Sequence, residues 1–209
     1  MDVKRGILIS IEGGEGAGKS TVLGAVRDYL LGLGHTVIAT REPGGTEVGE
    51  RIRALLLAPD HAIVPEAELL LMFASRAQLV KELVEPALAR GETVLADRFT
   101  DASYAYQGGG RGIAVEHIRE LERRFVGVQP DLTLLLDVGV EQGMARAHGR
   151  GQALDRIERE RGEFFHRVRD AYLARARAEP ERIALIDASQ SADDVVRQVL
   201  AVLAGRVPQ

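Results

Sequence analysis

Along the chain, short runs of β-branched and leucine residues alternate with longer stretches in which apolar side chains recur three and four positions apart. The short runs are the mark of strands covered on both faces and the longer stretches of amphipathic helices, so the alternation predicts a parallel sheet wrapped by helices. Five strands are expected: Ile7–Glu12, Thr36–Thr40, Thr93–Asp97, Leu132–Asp137 and Arg182–Asp187. Each finishes in or beside a polar residue. Ligands of such sheets collect at the carboxyl ends of the strands, which makes Glu12, Arg41, Asp97, Asp137 and Asp187 the first residues of interest.

The helices are readable in the same way. Lys19–Leu33 puts Val22, Val26 and Leu30 on one face and stops at Gly34. Glu66–Arg90 starts behind Pro65 and stops at Gly91, with Phe73, Ala77, Val80 and Val84 supplying its apolar spacing. Pro86 lies inside that pattern and predicts a kink or break near Val84. Further helices are expected over Thr46–Leu57, Val115–Val126, about Arg156 to Ala178, and Ala192–Leu203. Two glycine-rich stretches, 107–112 and 148–151, interrupt the scheme, and no repeat or low-complexity tract is present. A length of 209 residues suits one domain, 1–209, with a proper core.

Composition narrows the chemistry. There is no Cys and no Trp, which excludes disulfide scaffolds, thiolate metal sites and cysteine nucleophiles. The apolar run before Glu12 is too short for a signal segment or a membrane span, so a cytoplasmic protein with no membrane partner is expected. Charge is mixed, with 27 Lys+Arg against 31 Asp+Glu and a net charge of −4, so no nucleic-acid partner is expected and any phosphate binding must be local. Lysine occurs only at Lys4, Lys19 and Lys81.

One of those three lysines decides the class. Gly13-Gly14-Glu15-Gly16-Ala17-Gly18-Lys19-Ser20 matches G-x-x-x-x-G-K-[ST] and lies between an apolar strand and a helix, the context that the phosphate-binding loop (P-loop) requires. A chance match is expected in roughly one chain of this length in a hundred. The glycines leave backbone N–H groups free to converge on phosphate oxygens at the positive end of the following helix. Lys19 reaches the β- and γ-phosphates, and the Ser20 hydroxyl is a Mg²⁺ ligand. A GTP-dependent switch is disfavoured, because the chain contains no Asn for an N-K-x-D motif and no D-x-x-G. A small two-substrate kinase remains. At the end of the third strand, Asp97 is suited to hold a water of the Mg²⁺ shell and Arg98 to bridge donor and acceptor phosphates. An ordinary strand-end ion pair would give the same dipeptide.

Four segments carry a resemblance that runs through essentially the whole chain. Thr40-Arg-Glu-Pro-Gly-Gly45, Asp97-Arg98, Tyr104-Ala-Tyr-Gln-Gly-Gly-Gly-Arg-Gly112 and Leu154-Asp-Arg-Ile-Glu158 resemble, in order and spacing, the bacterial thymidylate kinases. The resemblance implies a P-loop NTPase fold: a five-stranded parallel sheet flanked by helices on both faces, with a short lid at about 145–157. It implies transfer of the γ-phosphoryl of ATP to dTMP, and a homodimer whose interface uses apolar helix surface around Phe73–Val84. Phe73 matches the ring that stacks on thymine, and Arg76 the arginine that hydrogen-bonds it. Ser103 and Gln107 match further base contacts, and Tyr106 the ring that crowds out a 2′-hydroxyl. Glu15 matches the carboxylate near the sugar 3′-hydroxyl. Arg98 matches the grip on the acceptor phosphate, with Arg41 and Pro43 of the first segment beside it, and Asp187 begins the loop beside the adenine.

Two positions depart from the pattern. Phe99 stands where Tyr or His is common, and Gly16 where some members carry a basic residue. Members without that basic residue place the transition-state arginine in the lid instead, which here means Arg146, Arg150 or Arg156, with Arg150 and Arg156 favoured as catalytic. The acceptor is a phosphate monoester with a second pKa of about 6, so no general base is needed. His35, His61, His117, His148 and His166 accordingly form no catalytic pairing. Another nucleoside monophosphate kinase, or a non-catalytic nucleotide-binding protein, are the competing readings.

Overall fold

A computed structural model describes residues 5–149 and 155–207. Its centre is a five-stranded, all-parallel sheet ordered β2-β3-β1-β4-β5, formed by β1 (Leu8–Gly13), β2 (Val37–Arg41), β3 (Thr93–Asp97), β4 (Leu132–Asp137) and β5 (Ile183–Asp187). Register is continuous across the middle: Ile11 lies beside Asp97 on β3 and beside Leu134 on β4. β1 therefore ends between the two strands that lie on either side of it in the chain's crossover pattern, and the loop leaving it opens onto the switch point where such sheets bind ligands.

Alternation along β1 divides the core between the faces. Ile9 and Ile11 pack with Val22, Val26 and Leu30 of α1 (Lys19–Gly32) and with Val195, Val199 and Leu203 of α9 (Ala192–Arg206). Leu8 points the other way, into a cluster with Val94, Ala96 and Phe99, and with Phe73 and Leu79 of α3 (Pro65–Leu79). A third cluster collects Phe164, Phe165, Val168 and Tyr172 of α8 (Gly162–Ala178) around Tyr106 and Leu135. Each fully buried aliphatic or aromatic side chain contributes about 1.5–3 kcal/mol. The Thr46 hydroxyl accepts from Gly49 N at the start of α2 (Glu47–Leu57), and Ser191 accepts from Asp194 N at the start of α9. These caps satisfy amides that the helices leave open.

Several expectations are corrected or refined. The α-helix ending at Arg90 is interrupted near Val84, as Pro86 led one to expect, but the interruption is a change of winding. A π-helical segment, Val80–Val84, with Glu85 N donating to Val80 O, joins α3 to α4 (Glu85–Ala89), and the wider turn absorbs Pro86. The glycine-rich stretch after α5 (Thr100–Ser103) is not an interruption but a π-helical run, Tyr104–Gly110, packed under α8. Gly109 and Gly110 have no room for a side chain: a Cβ on Gly110 would lie 2.4 Å from the Phe164 ring. The predicted helix 115–126 is α6 (Val115–Leu121) continued by a π-helical turn, Glu122–Val126. A further helix, α7 (Val140–His148), was not expected, and α8 begins at Gly162, not near Arg156.

Candidate active site

The loop from β1 to α1 wraps the N-terminus of α1. Gly18 precedes the helix in the left-handed region (φ 90°), and the first turn of α1 carries no acidic residue, so its amides are left for an anion. Lys19 folds back over the loop, its Nζ donating to Gly13 O at 3.2 Å and Gly14 O at 2.9 Å. Burial, and then the charge of Arg98, pull its ammonium down to about 8; a polyphosphate seated in the loop supplies the counter-charge that it lacks. The loop is closed from behind by a seam of two glycines. A Cβ on Gly16 (φ +67°) would lie 2.0 Å from Gly143 O, and one on Gly143 would lie 2.4 Å from Glu15 O.

Arg98 sits across from this loop in an unusual backbone state. Among the described residues it is the one non-glycine with positive φ, 71°, a conformation that costs on the order of 1–3 kcal/mol and concentrates at functional sites. Its neighbours account for the tolerance. Arg98 NH1 donates to Gly13 O (2.9 Å) and to the Tyr172 hydroxyl (3.3 Å), and NH2 donates to Glu15 Oε1 (2.9 Å). The following amide, Phe99 N, donates to Glu12 Oε1 at 2.6 Å, while Tyr172 donates to Glu12 Oε2 at 2.6 Å. Glu12 is fully buried, and burial followed by repulsion from Asp101 lifts its pKa to about 8. Tyr106 completes the group: its hydroxyl donates to Glu15 Oε1 (2.9 Å) and its ring lies under the Arg98 guanidinium (4.9 Å).

A cleft of about 570 Å³ runs from the loop to α3. Glu15, Gly16, Ala17, Gly18, Lys19 and Ser20 line one end, and Asp97, Arg98, Arg41 and Pro43 its middle; Arg76, Ser103, Tyr106 and Gln107 line the far end. Asp97 Oδ1 is buried with no hydrogen-bond partner, so this carboxylate has unused capacity in the cleft that Ser20 also lines. Arg76 is almost completely buried, held by Glu42 Oε2 (2.6 Å), Ser103 Oγ (2.9 Å) and Phe99 O (3.2 Å). Three of its five N–H donors are thereby spoken for, and two remain.

Not every expected residue reaches the cleft. Phe73 lies in the core beneath Arg76, whose guanidinium covers its ring at 4.8 Å, and the apolar side chain that α3 presents to the cleft is Met72. Arg156 turns away: its Nε donates to Leu56 O (2.7 Å) and NH2 to Glu68 Oε2 (2.6 Å). Arg150 lies outside the described residues, as does the middle of the expected lid, 150–154; 145–149 belong to the end of α7 and 155–157 to a turn. Asp187 is exposed and accepts from Ser189 N and Oγ, shaping the loop whose Ala188, Gln190 and Ser191 border a second recess beside the phosphate loop. Arg146 spans both recesses and donates to Ala188 O (2.8 Å). Sequence reasoning missed Met72, Tyr172 and Arg53, and it singled out Glu12 only as a strand-end residue, with no role. Arg53 lines the cleft and donates to Pro43 O (2.9 Å), and burial, then the nearby charge of Arg41, lower its pKa. The only sign of it was its place beside the Thr40–Gly45 segment.

A triphosphate loop and a deep polar recess that meet over one strained arginine form a two-substrate site, and with the parallel sheet they define a P-loop nucleoside monophosphate kinase. Residues 11–199 match the thymidylate kinase family model. A thymidylate kinase of Pseudomonas putida (strain GB-1) is 54% identical over 209 residues, covering 97% of each chain. Another, from Alkalilimnicola ehrlichii, is 53% identical over 205 residues, 97% of this chain and 94% of that one. The crystal structure of thymidylate kinase from Ehrlichia chaffeensis superposes with a TM-score of 0.79 at 30% identity, over 95% of this chain and 99% of that one. The chain belongs to the thymidylate kinase family.

Proposed function

We propose that this protein transfers the γ-phosphoryl group of ATP to dTMP, giving dTDP and ADP in the supply of dTTP. The observation that carries the reading is the single cleft in which the phosphate loop and the Arg76–Ser103–Gln107 recess face each other across Arg98. The acceptor phosphate arrives ionised, so the protein's work is positioning and charge neutralisation. Lys19 and the loop amides hold the donor phosphates. Arg98, with Arg41 and Arg53 beside it, holds the acceptor phosphate. Arg76, Ser103 and Gln107 read the base edge, and Met72 lies against its face in the place that sequence matching gave to Phe73. Tyr106 and Glu15, hydrogen-bonded to each other, border the sugar; Tyr106 excludes a 2′-hydroxyl and Glu15 meets the 3′-hydroxyl. The loop held by Asp187 lies at the adenine.

Mg²⁺ fits these residues. It is a hard cation that keeps several waters and takes few protein ligands, and the Ser20 hydroxyl and the unpartnered Asp97 Oδ1 are oxygen donors of that kind. Among the described residues no group of three or more His, Asp or Glu forms a cage, and a cation shared with substrate phosphates needs none. When bound, the ion neutralises charge on the transferring group.

The lid is assigned to about 145–157, within one domain, with Arg146 already in the cleft and Arg156 tied to Glu68 at its far edge. A homodimer remains part of the reading, with a changed surface: Phe73, Val80 and Val84 are in the core, while Leu70 on α3 and Phe125 on the adjoining turn are exposed. Sedimentation of the wild type and of Leu70→Glu tests it. No helix among the described residues is long and apolar enough to cross a membrane.

The deciding assay is ADP release with dTMP, dUMP, dCMP, AMP and GMP as acceptors. Strong preference for dTMP is expected; equal or no turnover with dTMP discards the assignment.

A further inference from the structure

Glu68 lies on α3 outside the cleft lining, with its side chain 1% exposed, and it collects donors from three residues on two separate segments. Its Oε1 accepts from Gln107 Nε2 (2.9 Å) and Arg111 Nε (3.2 Å), and its Oε2 accepts from Arg111 NH2 (3.0 Å) and Arg156 NH2 (2.6 Å). Burial pushes its pKa up, but the hydrogen bonds from Arg111, Gln107 and Arg156 outweigh it and hold the carboxyl below the usual range. An ionised carboxylate only accepts. The Gln107 amide therefore has one allowed orientation at this contact: N–H towards Glu68, carbonyl oxygen turned to the cleft that Gln107 lines. No donor among the described residues reaches that oxygen.

We propose that Glu68 is a specificity-determining positioning residue, which locks the Gln107 amide so that the cleft is offered an acceptor and not a donor. A thymine or uracil edge carries N3–H, which such an acceptor receives. A cytosine edge carries a bare N3, which it repels. The inference rests on the reading of Gln107 as a base contact. In Glu68→Gln the new amide turns its oxygen to Arg111 and Arg156, which only donate, and its NH₂ to Gln107. Gln107 must then reverse, and its NH₂ enters the cleft.

The test is kcat/KM for dTMP, dUMP and dCMP with the full-length wild type, Glu68→Gln, Arg111→Gln and Gln107→Leu, each checked for cooperative melting. In Glu68→Gln the dCMP/dTMP ratio should rise by roughly tenfold or more, one buried hydrogen-bond mismatch being exchanged between the bases, while the dUMP/dTMP ratio stays constant because those edges are alike. Arg111→Gln loses ion pairs to Glu68 and Glu160 without touching the amide, and should lower melting temperature with both ratios unmoved. Should Glu68→Gln fail to fold, Glu68→Gln/Arg111→Gln removes one uncompensated cation, and the same rise is expected. An unchanged dCMP/dTMP ratio in the folded variant overturns the role of Glu68. If instead Gln107→Leu leaves dTMP turnover intact, the base-contact reading of Gln107 is what fails.

Discussion

Replacing Glu12 by Gln separates the two things that this buried carboxyl does. Its pKa is raised from 4.5 to about 8 by burial and by Asp101. A carboxyl that holds its proton more tightly folded than unfolded favours the native state fully below pH 4.5, and that advantage is lost as pH climbs to about 8. The slope is roughly 1.4 kcal/mol per pH unit, with an upper bound on the order of 5 kcal/mol over the whole interval. Glutamine has no proton to lose, and its amide oxygen still accepts the Phe99 N–H that steadies Arg98. The melting temperature of Glu12→Gln minus that of wild type should therefore grow between pH 5 and pH 9, by on the order of 10 °C for a chain of this size. Any fixed penalty from the altered contact with Tyr172 shifts the curve without changing its slope. Turnover near pH 7, where Glu12 is mostly neutral, should stay within a few-fold of wild type. Calorimetric melts of both proteins across that pH range are the measurement. A difference that does not vary with pH would refute the assignment of a protonated Glu12, whatever the activity.

Other outcomes follow from the site. Met72→Ala should raise KM for dTMP with little loss of stability, whereas Phe73→Ala should cost about 3–5 kcal/mol of folding stability, as core truncations of aromatics do; the reverse pattern in melts and kinetics would return Phe73 to the base. Lys19→Ala should abolish turnover with every acceptor, and retained turnover in an ADP-release assay would remove the loop from the chemistry. Tyr106→Ala should narrow the gap between dTMP and its ribo analogue, read as the ratio of kcat/KM values, and an unchanged ratio would end its role at the sugar.

Strand number and strand ends were legible because each strand is a continuous apolar run closed by a polar residue; two of the five match to the residue and the others shift by one. The phosphate loop was legible for the same reason, its glycines standing at a strand–helix junction. The π-helical segments were not, since a turn wider by one residue leaves nearly the same apolar spacing as an α-helix. Phe73 shows how matching to a family can mislead where periodicity does not. It already belonged to the series Phe73, Ala77, Val80 and Val84 that marked the core face of its helix, and a residue on that face cannot also face a ligand. Glu68 was invisible for the opposite reason: an acidic residue in a first helical turn is expected at the surface, and only the tertiary arrangement of Arg111, Arg156 and Gln107 takes it inside. Helix α7 was missed because Gly, Gln, Arg and His dilute its apolar face.

The contact between Gly16 and Gly143 limits how this enzyme can be re-engineered. Transplanting a cationic side chain into the donor loop, as some relatives have, would wedge α7 off the loop, because the space that such a side chain must leave through is occupied by backbone. The first turn of α7 is thus pinned to the phosphate loop, and Arg146, three residues beyond Gly143, is held at the border of the cleft by the same contact. A cation on that helix reaches the donor end without any side chain being added to the loop.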